Sequence, residues 1–231
     1  MRVLITGANR GIGLSLVREF VKRGDLVFAG CRSFEQSTDL NDLAAQHPEL
    51  IKVIPLNVTD LASIIECVQM VAARADSLDI LINNAAVHLG DENLSAVKSE
   101  DLLSTLQVNA VGPILVSQQF IHLLKNGIQP KIINISSEAG SISRMDDFRG
   151  YGYYGSKAAE NMYTRALAFD PDTDQVTVIA LHPGWVRTDM GGPEAHLSAS
   201  ASAAGIFDVI DALTPQDNGK FYTWEGIEYP W

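Results

Sequence analysis

Cysteine is scarce in this chain, which limits what can cross-link the fold or bind a metal. The two cysteines, Cys31 and Cys67, are too few for a disulfide framework or a four-cysteine zinc site. Each stands in an apolar stretch, LVFAGC and IIECVQM. We therefore expect both thiols to be small hydrophobic members of the core. His196 has no histidine or cysteine at ligand spacing, so we expect no metal site there.

Basic residues are also few, with 17 lysines and arginines against 28 aspartates and glutamates. The formal net charge of -11 disfavours nucleic acid and anionic membranes as partners, because both bind electropositive surfaces. No run approaches the ~18 apolar residues of a membrane span. The opening MRVLITG does not resemble a signal peptide. We therefore expect a cytoplasmic protein.

Short β-rich apolar runs alternate along the chain with stretches of helical spacing. Each run is short enough to be a strand buried on both faces. The six predicted strands span residues 3–6, 26–29, 51–56, 78–82, 131–135 and 176–181, and Asp60 and Asp101 stand at expected helix N-caps. This alternation predicts one α/β domain over residues 1–231, with a doubly wound parallel sheet and helices on both faces. Ligands of such sheets bind beyond the carboxyl ends of the strands.

A glycine-rich segment follows the first predicted strand and leads into the first predicted helix. It reads Thr6-Gly7-Ala8-Asn9-Arg10-Gly11-Ile12-Gly13. Glycines at such a junction permit a tight turn and let backbone N–H groups approach a pyrophosphate at the positive end of the helix. A purely structural turn is the alternative, but the position at the first strand-to-helix junction favours dinucleotide binding.

The second predicted strand lacks the acidic residue that would bind the ribose 2′-hydroxyl of NAD. Cys31 stands where that carboxylate is expected, and Arg32 follows it. A guanidinium binds a 2′-phosphate in bidentate fashion, and Arg10 of the glycine loop can approach the same group. Either arginine alone is typical of a solvated surface. The two together, without a carboxylate, favour NADPH.

Tyr153 and Lys157 stand four residues apart in the segment YGYYGSK, which leads into a helix predicted from residue 158. Residues at this spacing share a helix face, so both side chains can point into one site. A nearby ammonium lowers the pKa of a phenol from its usual ~10, which makes the tyrosine a usable general acid or base. Spacing leaves Tyr154 as a rival, and an ordinary helix surface as the alternative.

Five segments, in this order, resemble the short-chain dehydrogenase/reductase family. They are TGANRGIG at 6–13, NNAA at 83–86, NISS at 134–137, YYGSK at 153–157 and HPGWVRTDM at 182–190. The match extends to residues 219–222, effectively along the whole chain. The resemblance implies a Rossmann-type fold, NADP(H) as cofactor, and hydride transfer between NADPH and a small carbonyl or alcohol substrate, such as an aldehyde, ketone or quinone. It also implies a homodimer or homotetramer, paired through helices at 101–125 and 156–169.

The resemblance assigns roles that spacing leaves open. The family's YxxxK pattern selects Tyr153 over Tyr154 as the proton donor, with Lys157 holding the nicotinamide ribose and lowering the pKa of the tyrosine. Ser137 would hydrogen-bond the substrate oxygen, and Asn109 would anchor a water near the lysine. As alternatives, Asn109 is a satisfied polar residue inside its helix and Ser137 merely ends a strand.

Further cofactor contacts are implied by the same resemblance. Asn57 and Val58 would lie against the adenine, although the family commonly has aspartate at the first position. Ala86 stands where glycine is usual, so its methyl group must fit beside the cofactor. The remaining implied contacts are Asn84, Ala85, Pro183, Gly184, Val186 and Thr188.

Within the family, NISSEAGSI, HPGWVRTDMGG and the ending FYTWEGIEYPW resemble the C-factor-like or sniffer-like carbonyl reductases. An insertion at 143–152 separates Ser137 from Tyr153 by 16 residues. It either borders the substrate entrance or forms a solvated loop. Residues 190–204 are rich in small side chains and are expected to form a mobile lid.

Two other functions are compatible with the resemblance. One is an NADP(H)-binding signalling or sensor protein with little turnover, but the joint presence of Asn109, Ser137, Tyr153 and Lys157 favours an enzyme. The other is a dehydratase or epimerase on the same fold. It is less favoured because the chain shows no added substrate domain.

Overall fold

The computed structural model describes residues 1–90, 93–148 and 150–231. Strands and helices alternate within these residues. The strands are β1 (Arg2–Thr6), β2 (Leu26–Cys31), β3 (Ile51–Pro55), β4 (Ile80–Asn83), β5 (Lys131–Ile135), β6 (Thr177–His182), β7 (Val186–Arg187), β8 (Leu197–Ser198) and β9 (Phe221–Thr223). The helices are α1 (Gly11–Arg23), α2 (Thr38–Gln46), α3 (Leu61–Ala72), α4 (Ser99–Leu106), α5 (Gly112–Lys125), α6 (Tyr151–Phe169) and α7 (Ala199–Ala212), with a π turn (Gln107–Val111) between α4 and α5.

Within the described residues, seven strands form one sheet in the spatial order β3-β2-β1-β4-β5-β6-β9. Every pairing in this sheet is parallel. The chain moves outward from β1 to β3, returns to the other side of β1 as β4, and then moves outward again. This is the predicted doubly wound α/β fold. The reversal between β1 and β4 is the place where such folds bind ligands.

Two apolar cores lie on opposite faces of the sheet. Val3 and Ile5 of β1 belong to the core formed with α1, α2 and α7, whereas Leu4 belongs to the core formed with α3, α5 and α6. Cys31 is buried in the first core and Cys67 in the second. Burial raises the pKa of the Cys67 thiol to about 12. The prediction of two buried, apolar cysteines is therefore confirmed.

The strand predicted at residues 131–135 is observed with the same bounds as β5, and the other five predicted strands differ from the observed ones by one or two residues at their ends. The strand β9 was not predicted, because Phe221–Thr223 is too short to show the alternation of apolar and polar residues that marks a strand. It pairs with β6 and forms one edge of the sheet.

Two predicted helix caps have different outcomes. Asp60 caps α3 by accepting a hydrogen bond from the backbone N–H of Ala62 at 3.0 Å, as predicted. The prediction for Asp101 is wrong, because α4 begins at Ser99 with Lys98 in the N-cap position. Asp101 lies in the first turn, where a carboxylate still interacts favourably with the positive end of the helix dipole.

The helix α7 corrects part of the predicted lid. It begins at Ala199, so residues 199–204 are helical and do not form a loop. The hydroxyl of Ser198 caps α7 by accepting a hydrogen bond from the backbone N–H of Ala201 at 3.1 Å. Ala203 is buried in the core that α7 shares with α1. The small residues of this stretch thus allow close helix packing. In the described residues, no helix is long and apolar enough to cross a membrane.

Gly127, just after α5, tests how tightly the connection to β5 is packed. A Cβ atom at this position would lie 2.1 Å from the carbonyl oxygen of Leu78. We expect Gly127→Ala to lower the free energy of unfolding by about 1–3 kcal/mol, because the backbone would have to move apart. The control is Gly155→Ala in α6, where a Cβ meets no atom within 4 Å. It should raise the same free energy by about 0.5–1 kcal/mol. Urea denaturation measures the free energy of unfolding of both variants. Changes of the same sign and size in Gly127→Ala and Gly155→Ala would contradict the packing argument.

Candidate functional site

A cavity of about 690 Å³ opens at the carboxyl edge of the sheet, beside the reversal between β1 and β4. Its size falls within the range of ligand and cofactor pockets. The loops that follow β1 to β4, the end of β5, the helix α6 and the segment after β6 contribute to its walls. The predicted site residues that line it are Gly7, Asn9, Arg10, Gly11, Ile12, Gly13, Arg32, Asn57, Val58, Asn84, Ala85, Ala86, Tyr153, Lys157, Pro183 and Thr188.

The glycine loop after β1 requires its glycines for two reasons. Gly7 and Gly11 have φ angles of +64° and +55°, which other residues rarely adopt. At Gly13, a Cβ atom would lie 2.3 Å from the carbonyl oxygen of Gly7. The bare backbone therefore forms this cavity wall at the N-terminus of α1, as a phosphate-binding loop requires.

Hydrogen bonds fasten the loop after β4 to the glycine loop. The hydroxyl oxygen of Thr6 accepts hydrogen bonds from the backbone N–H groups of Asn84 and Ala85, both at 2.9 Å. In return, the side-chain amide of Asn84 donates to the carbonyl oxygens of Thr6 and Gly7, at 2.9 and 3.1 Å. These bonds fix two adjacent walls of the cavity relative to each other.

The cavity is locally cationic in a protein that is acidic overall. Its lining, as far as the structure describes it, contains Arg10, Arg32 and Lys157 but no aspartate or glutamate. Arg10 forms an exposed ion pair with Asp189. Arg32 follows the end of β2 and forms no ion pair with any described residue. This charge distribution favours an anionic ligand.

The helix α6 begins at Tyr151, seven residues before the predicted start at 158. Tyr153 and Lys157 consequently lie on one helix, and both line the cavity. Tyr154 faces elsewhere, since its hydroxyl donates a hydrogen bond to Asp147 beside a separate small cavity. The helix thus separates Tyr153 from the rival that spacing alone left open.

Lys157 is almost completely buried, with 2% of its surface exposed. Its ammonium donates one hydrogen bond to the carbonyl oxygen of Ile135 at 2.8 Å and another to Oε2 of Glu160 at 2.7 Å. Glu160 was not singled out from the sequence. Burial raises the pKa of its carboxyl group to about 7, although the charge of Lys157 and the hydrogen bond from it act in the opposite direction.

Asn109 lies in the π turn between α4 and α5 and is buried behind the cavity wall. Its Oδ1 accepts a hydrogen bond from the backbone N–H of Val87 at 2.8 Å. Its Nδ2 donates to the carbonyl oxygen of Val87 at 2.8 Å and to Oγ of Ser156 at 3.0 Å. The hydrogen-bond partners of the side chain thus lie outside its own helical segment, in the loop after β4 and on α6, and the side chain supports Val87, which lines the cavity.

Ser137 follows β5 and is also absent from the cavity lining. It is 8% exposed, and its hydroxyl accepts a hydrogen bond from the backbone N–H of Ala139 at 3.1 Å. Its neighbour Ser136 lines the cavity instead. The structure therefore places the predicted substrate-binding serine at the margin of the site.

His88 was missed by the sequence analysis, although its ring stacks on that of Tyr153 with centroids 4.6 Å apart. Its position shortly after β4 was the only available signal, because residues beyond carboxyl strand ends form the site in this fold. The cavity-lining residues that were missed are Ser33, Gln36, Leu56, Thr59, Val87, Val108, Ile135, Ser136 and Met190.

The comparisons with known proteins agree with this geometry. The sequence profile of the family described as "short chain dehydrogenase" matches residues 1–197. The chain belongs to the short-chain dehydrogenase family. The family resemblance in the sequence is thus confirmed.

Two solved structures show how closely this short-chain dehydrogenase resembles carbonyl reductases. The NADPH-bound carbonyl reductase from chicken fatty liver is 36% identical, with a TM-score of 0.94 over 100% of this chain and 98% of that one. The carbonyl reductase Sniffer of D. melanogaster is 33% identical, with a TM-score of 0.93 over 100% of this chain and 99% of that one. The C-signal protein of Myxococcus xanthus is 39% identical over 159 residues, which cover 67% of this chain and 93% of that protein.

The turn after β6 places two lining residues of this short-chain dehydrogenase, Pro183 and Thr188. Gly184 and Val186, which the family resemblance assigned to the cofactor, are absent from the lining. Gly184 has a φ of +83°, and a Cβ there would lie 2.8 Å from the side chain of Leu197. Val186 is buried in β7. Both residues shape the turn.

Hydrogen bonds hold the remaining part of the predicted lid, residues 190–198. The indole N–H of Trp185 donates to the carbonyl oxygen of Gly191 at 2.8 Å. The guanidinium of Arg187 donates to the carbonyl oxygen of Ala195 at 2.8 Å. This part of the predicted lid is thus hydrogen-bonded to the segment just before it, which contains Trp185 and Arg187. Of its residues, Met190 alone lines the cavity.

The insertion at 143–152 lies to one side of the cavity. Its described residues do not line the large cavity, and four of them, at 144–147, line the small one beside Tyr154. Phe148 packs edge-to-face on Tyr151 with ring centroids 5.1 Å apart. Arg149, which the sequence analysis included in the insertion, lies outside the described residues.

Thr6 tests the connection between the two loops, because its buried hydroxyl serves two backbone N–H groups. Replacement by valine keeps the shape of the side chain but leaves both groups without their acceptor. We expect Thr6→Val to lower the free energy of unfolding by roughly 2–6 kcal/mol, since each of the two unsatisfied groups costs about 1–3 kcal/mol. Thr6→Ser, which keeps the hydroxyl, should lose much less. Chemical denaturation of both variants measures these losses, and equal losses would show that the hydroxyl contributes no more to stability than the methyl group.

Proposed function

We propose that this short-chain dehydrogenase is an NADPH-dependent carbonyl reductase that acts on a small aldehyde, ketone or quinone, or on the corresponding alcohol in reverse. Tyr153 and Lys157 share one cavity with Arg10 and Arg32, and no described carboxylate lines it. This arrangement is the main support for the function. The similarity to the NADPH-bound chicken reductase supports the same choice of cofactor and chemistry.

The residues of the cavity fit NADP(H). The glycine loop is a backbone cradle that any Cβ at Gly13 would obstruct, and it would hold the pyrophosphate. Arg10 and Arg32 would hold the 2′-phosphate, Val58 would lie against the adenine, and Lys157 would hold the nicotinamide ribose. When bound, NADPH supplies the hydride for the carbonyl carbon.

Tyr153 is the proposed general acid. Its hydroxyl donates a proton to the substrate oxygen during reduction, and the nearby positive charge of Lys157 stabilises the phenolate that remains. Proton transfer by a positioned side chain typically contributes ~10²–10⁴-fold to the rate.

Ser137 and Asn109 have supporting roles in this proposal. The hydroxyl of Ser137 accepts a hydrogen bond from Ala139 but still has its own proton to donate to a substrate oxygen. The side chain of Asn109 is engaged with Val87 and Ser156. We therefore propose that a water near Lys157 would be held by the backbone of the π turn and not by the Asn109 side chain. The helical hydrogen-bond pattern changes at this turn.

The assembly and location are further parts of the proposal. Leu103 of α4 and Met162 and Phe169 of α6 are apolar side chains that are each more than half exposed. They support a homodimer or homotetramer that pairs through these helices. We also propose that residues 1–231 act as one catalytic domain in the cytoplasm.

The similarity to C-signal raises a second candidate, a protein that binds NADP(H) with little turnover. Binding alone does not require a tyrosine one turn before the lysine that would hold the ribose. Tyr153 lines the cavity at this position, so we favour the enzyme.

Tyr153→Phe should leave NADPH binding within about 2-fold and lower kcat by at least ~10²-fold, because only the proton donor is lost. Tyr154→Phe is the matched control, since the hydroxyl of Tyr154 bonds to Asp147 away from the cavity. Loss of NADPH absorbance with a panel of aldehydes, ketones and quinones measures turnover, and fluorescence titration measures binding. Near wild-type turnover by Tyr153→Phe would refute the assignment.

Arg32→Ala should raise KM for NADPH by about 10–100-fold, since hydrogen bonds to charged groups contribute about 1.5–3 kcal/mol. KM for NADH should change little, because NADH lacks the 2′-phosphate. Arg18→Ala removes an exposed arginine of α1 that does not line the cavity, and serves as the control. Parallel assays with both cofactors give the comparison. A wild-type preference for NADH would overturn the role of both arginines.

A further inference from the structure

Glu160 is a buried carboxyl group directly beside the candidate site. It lies on α6 three residues after Lys157, and only 2% of its surface is exposed. Its Oε2 accepts a hydrogen bond from the Lys157 ammonium at 2.7 Å. A charged carboxylate is costly to bury unless a partner compensates it. A buried ion pair that includes the proposed catalytic lysine therefore requires an explanation.

The ammonium of Lys157 has three N–H groups to distribute. One donates to the carbonyl oxygen of Ile135 at 2.8 Å and one to Glu160. The third remains for the cavity, which Lys157 lines together with Tyr153. Two fixed bonds therefore set the direction of the third.

Lys157 is also the charged group that acts most directly on Glu160. The elements packed against α6 include β5, α4, the π turn, β6 and the short turns Glu138–Gly140 and Pro171–Thr173. Their titratable residues are Glu100, Asp101, Lys131, Glu138, Asp172 and His182. Among the described residues, none of these forms a hydrogen bond or ion pair with the carboxyl group of Glu160, whose partner is Lys157.

We propose that Glu160 is a positioning residue for Lys157, which directs the ammonium toward the cavity and partly neutralises the charge that Lys157 presents to Tyr153. This inference rests on the proposed function of the site. A lone ammonium would stabilise the Tyr153 phenolate strongly. With Glu160 ionised, the phenolate is stabilised less, so Tyr153 keeps its proton to a higher pH. That state is the one a proton donor requires, so the pair favours carbonyl reduction.

The sign of the pH effect follows from the raised pKa of Glu160, about 7. Above this pH the carboxylate is charged and offsets the charge of Lys157. Below it the carboxyl group is neutral, and the ammonium acts on Tyr153 without compensation. Removal of the carboxylate should therefore change the titration of Tyr153 mainly above pH 7.

Glu160→Gln tests the proposal, because it removes the charge and keeps the shape. ¹³C NMR of protein labelled at tyrosine Cζ follows the titration of Tyr153, whose signal is assigned by its absence in Tyr153→Phe. We expect the pKa of Tyr153 to be lower in Glu160→Gln than in the wild type by on the order of one unit. The acid limb of alcohol oxidation by NADP⁺ should move to lower pH by the same amount. An unchanged Tyr153 titration would overturn the proposal.

Asp79→Asn is the control for a general effect of breaking a buried ion pair. Asp79 is 1% exposed and pairs with Arg2 at the amino-terminal ends of β4 and β1, away from the cavity. Asp79→Asn should lower the free energy of unfolding without changing the pH at which Tyr153 titrates. An equal shift of that titration in Asp79→Asn and Glu160→Gln would also overturn the proposal. If Glu160→Gln does not fold, Glu160→Asp retracts the charge by one methylene and should shift the titration in the same direction by a smaller amount. No shift in that variant counts against the proposal.

The NMR titration is measured without cofactor or turnover. Absence of NADPH-dependent activity in the wild type would therefore refute the proposed function and leave the role of Glu160 to be decided by the titration. Activity in the wild type together with identical titrations would refute only the role of Glu160.

Discussion

The reversal of winding between β1 and β4 determines where the candidate site opens and where its two central walls lie. The helix α1 follows β1 onto one face of the sheet, whereas α5 follows β4 onto the other. The loops after these adjacent strands therefore diverge and leave a crevice between them. Thr6 and Asn84 then join the two loops by hydrogen bonds, and glycines allow the close approach. The topology of the sheet therefore creates the cavity, and the hydrogen bonds between the two loops fix its walls.

A line of buried polar groups carries this geometry from the sheet to α6. The amide of Asn83 in β4 donates to Asn134 in β5 at 2.8 Å, and Asn134 donates to the Thr164 hydroxyl at 2.8 Å. Thr164 in turn donates to the backbone carbonyl of Glu160 at 2.7 Å. Because buried hydrogen bonds of this kind have few alternative partners, they fix how α6 sits on the sheet. Lys157 lies one turn before Glu160 on α6, so its position depends on the same hydrogen bonds.

Features that depend on short-range chemistry were predictable from the sequence, and features that depend on packing were not. The glycine loop could be identified because Gly7 and Gly13 must lack side chains whatever surrounds the loop. Spacing could place Tyr153 near Lys157, but the start of α6 decided which tyrosine faces the cavity. Glu160 reads in the sequence as an ordinary exposed i,i+3 pair with Lys157. Only the elements packed over α6 make it a buried carboxyl group.

The distribution of the two thiols has a practical consequence. Cys31, at the end of β2, lies in the core that includes α1 and α7, and Cys67, on α3, lies in the core that includes α5. Neither is accessible in the folded state, and the raised pKa of Cys67 keeps it protonated. The rate at which a thiol reagent modifies each cysteine therefore records how often its own layer opens. The chain carries an independent reporter of local unfolding on each side of its sheet.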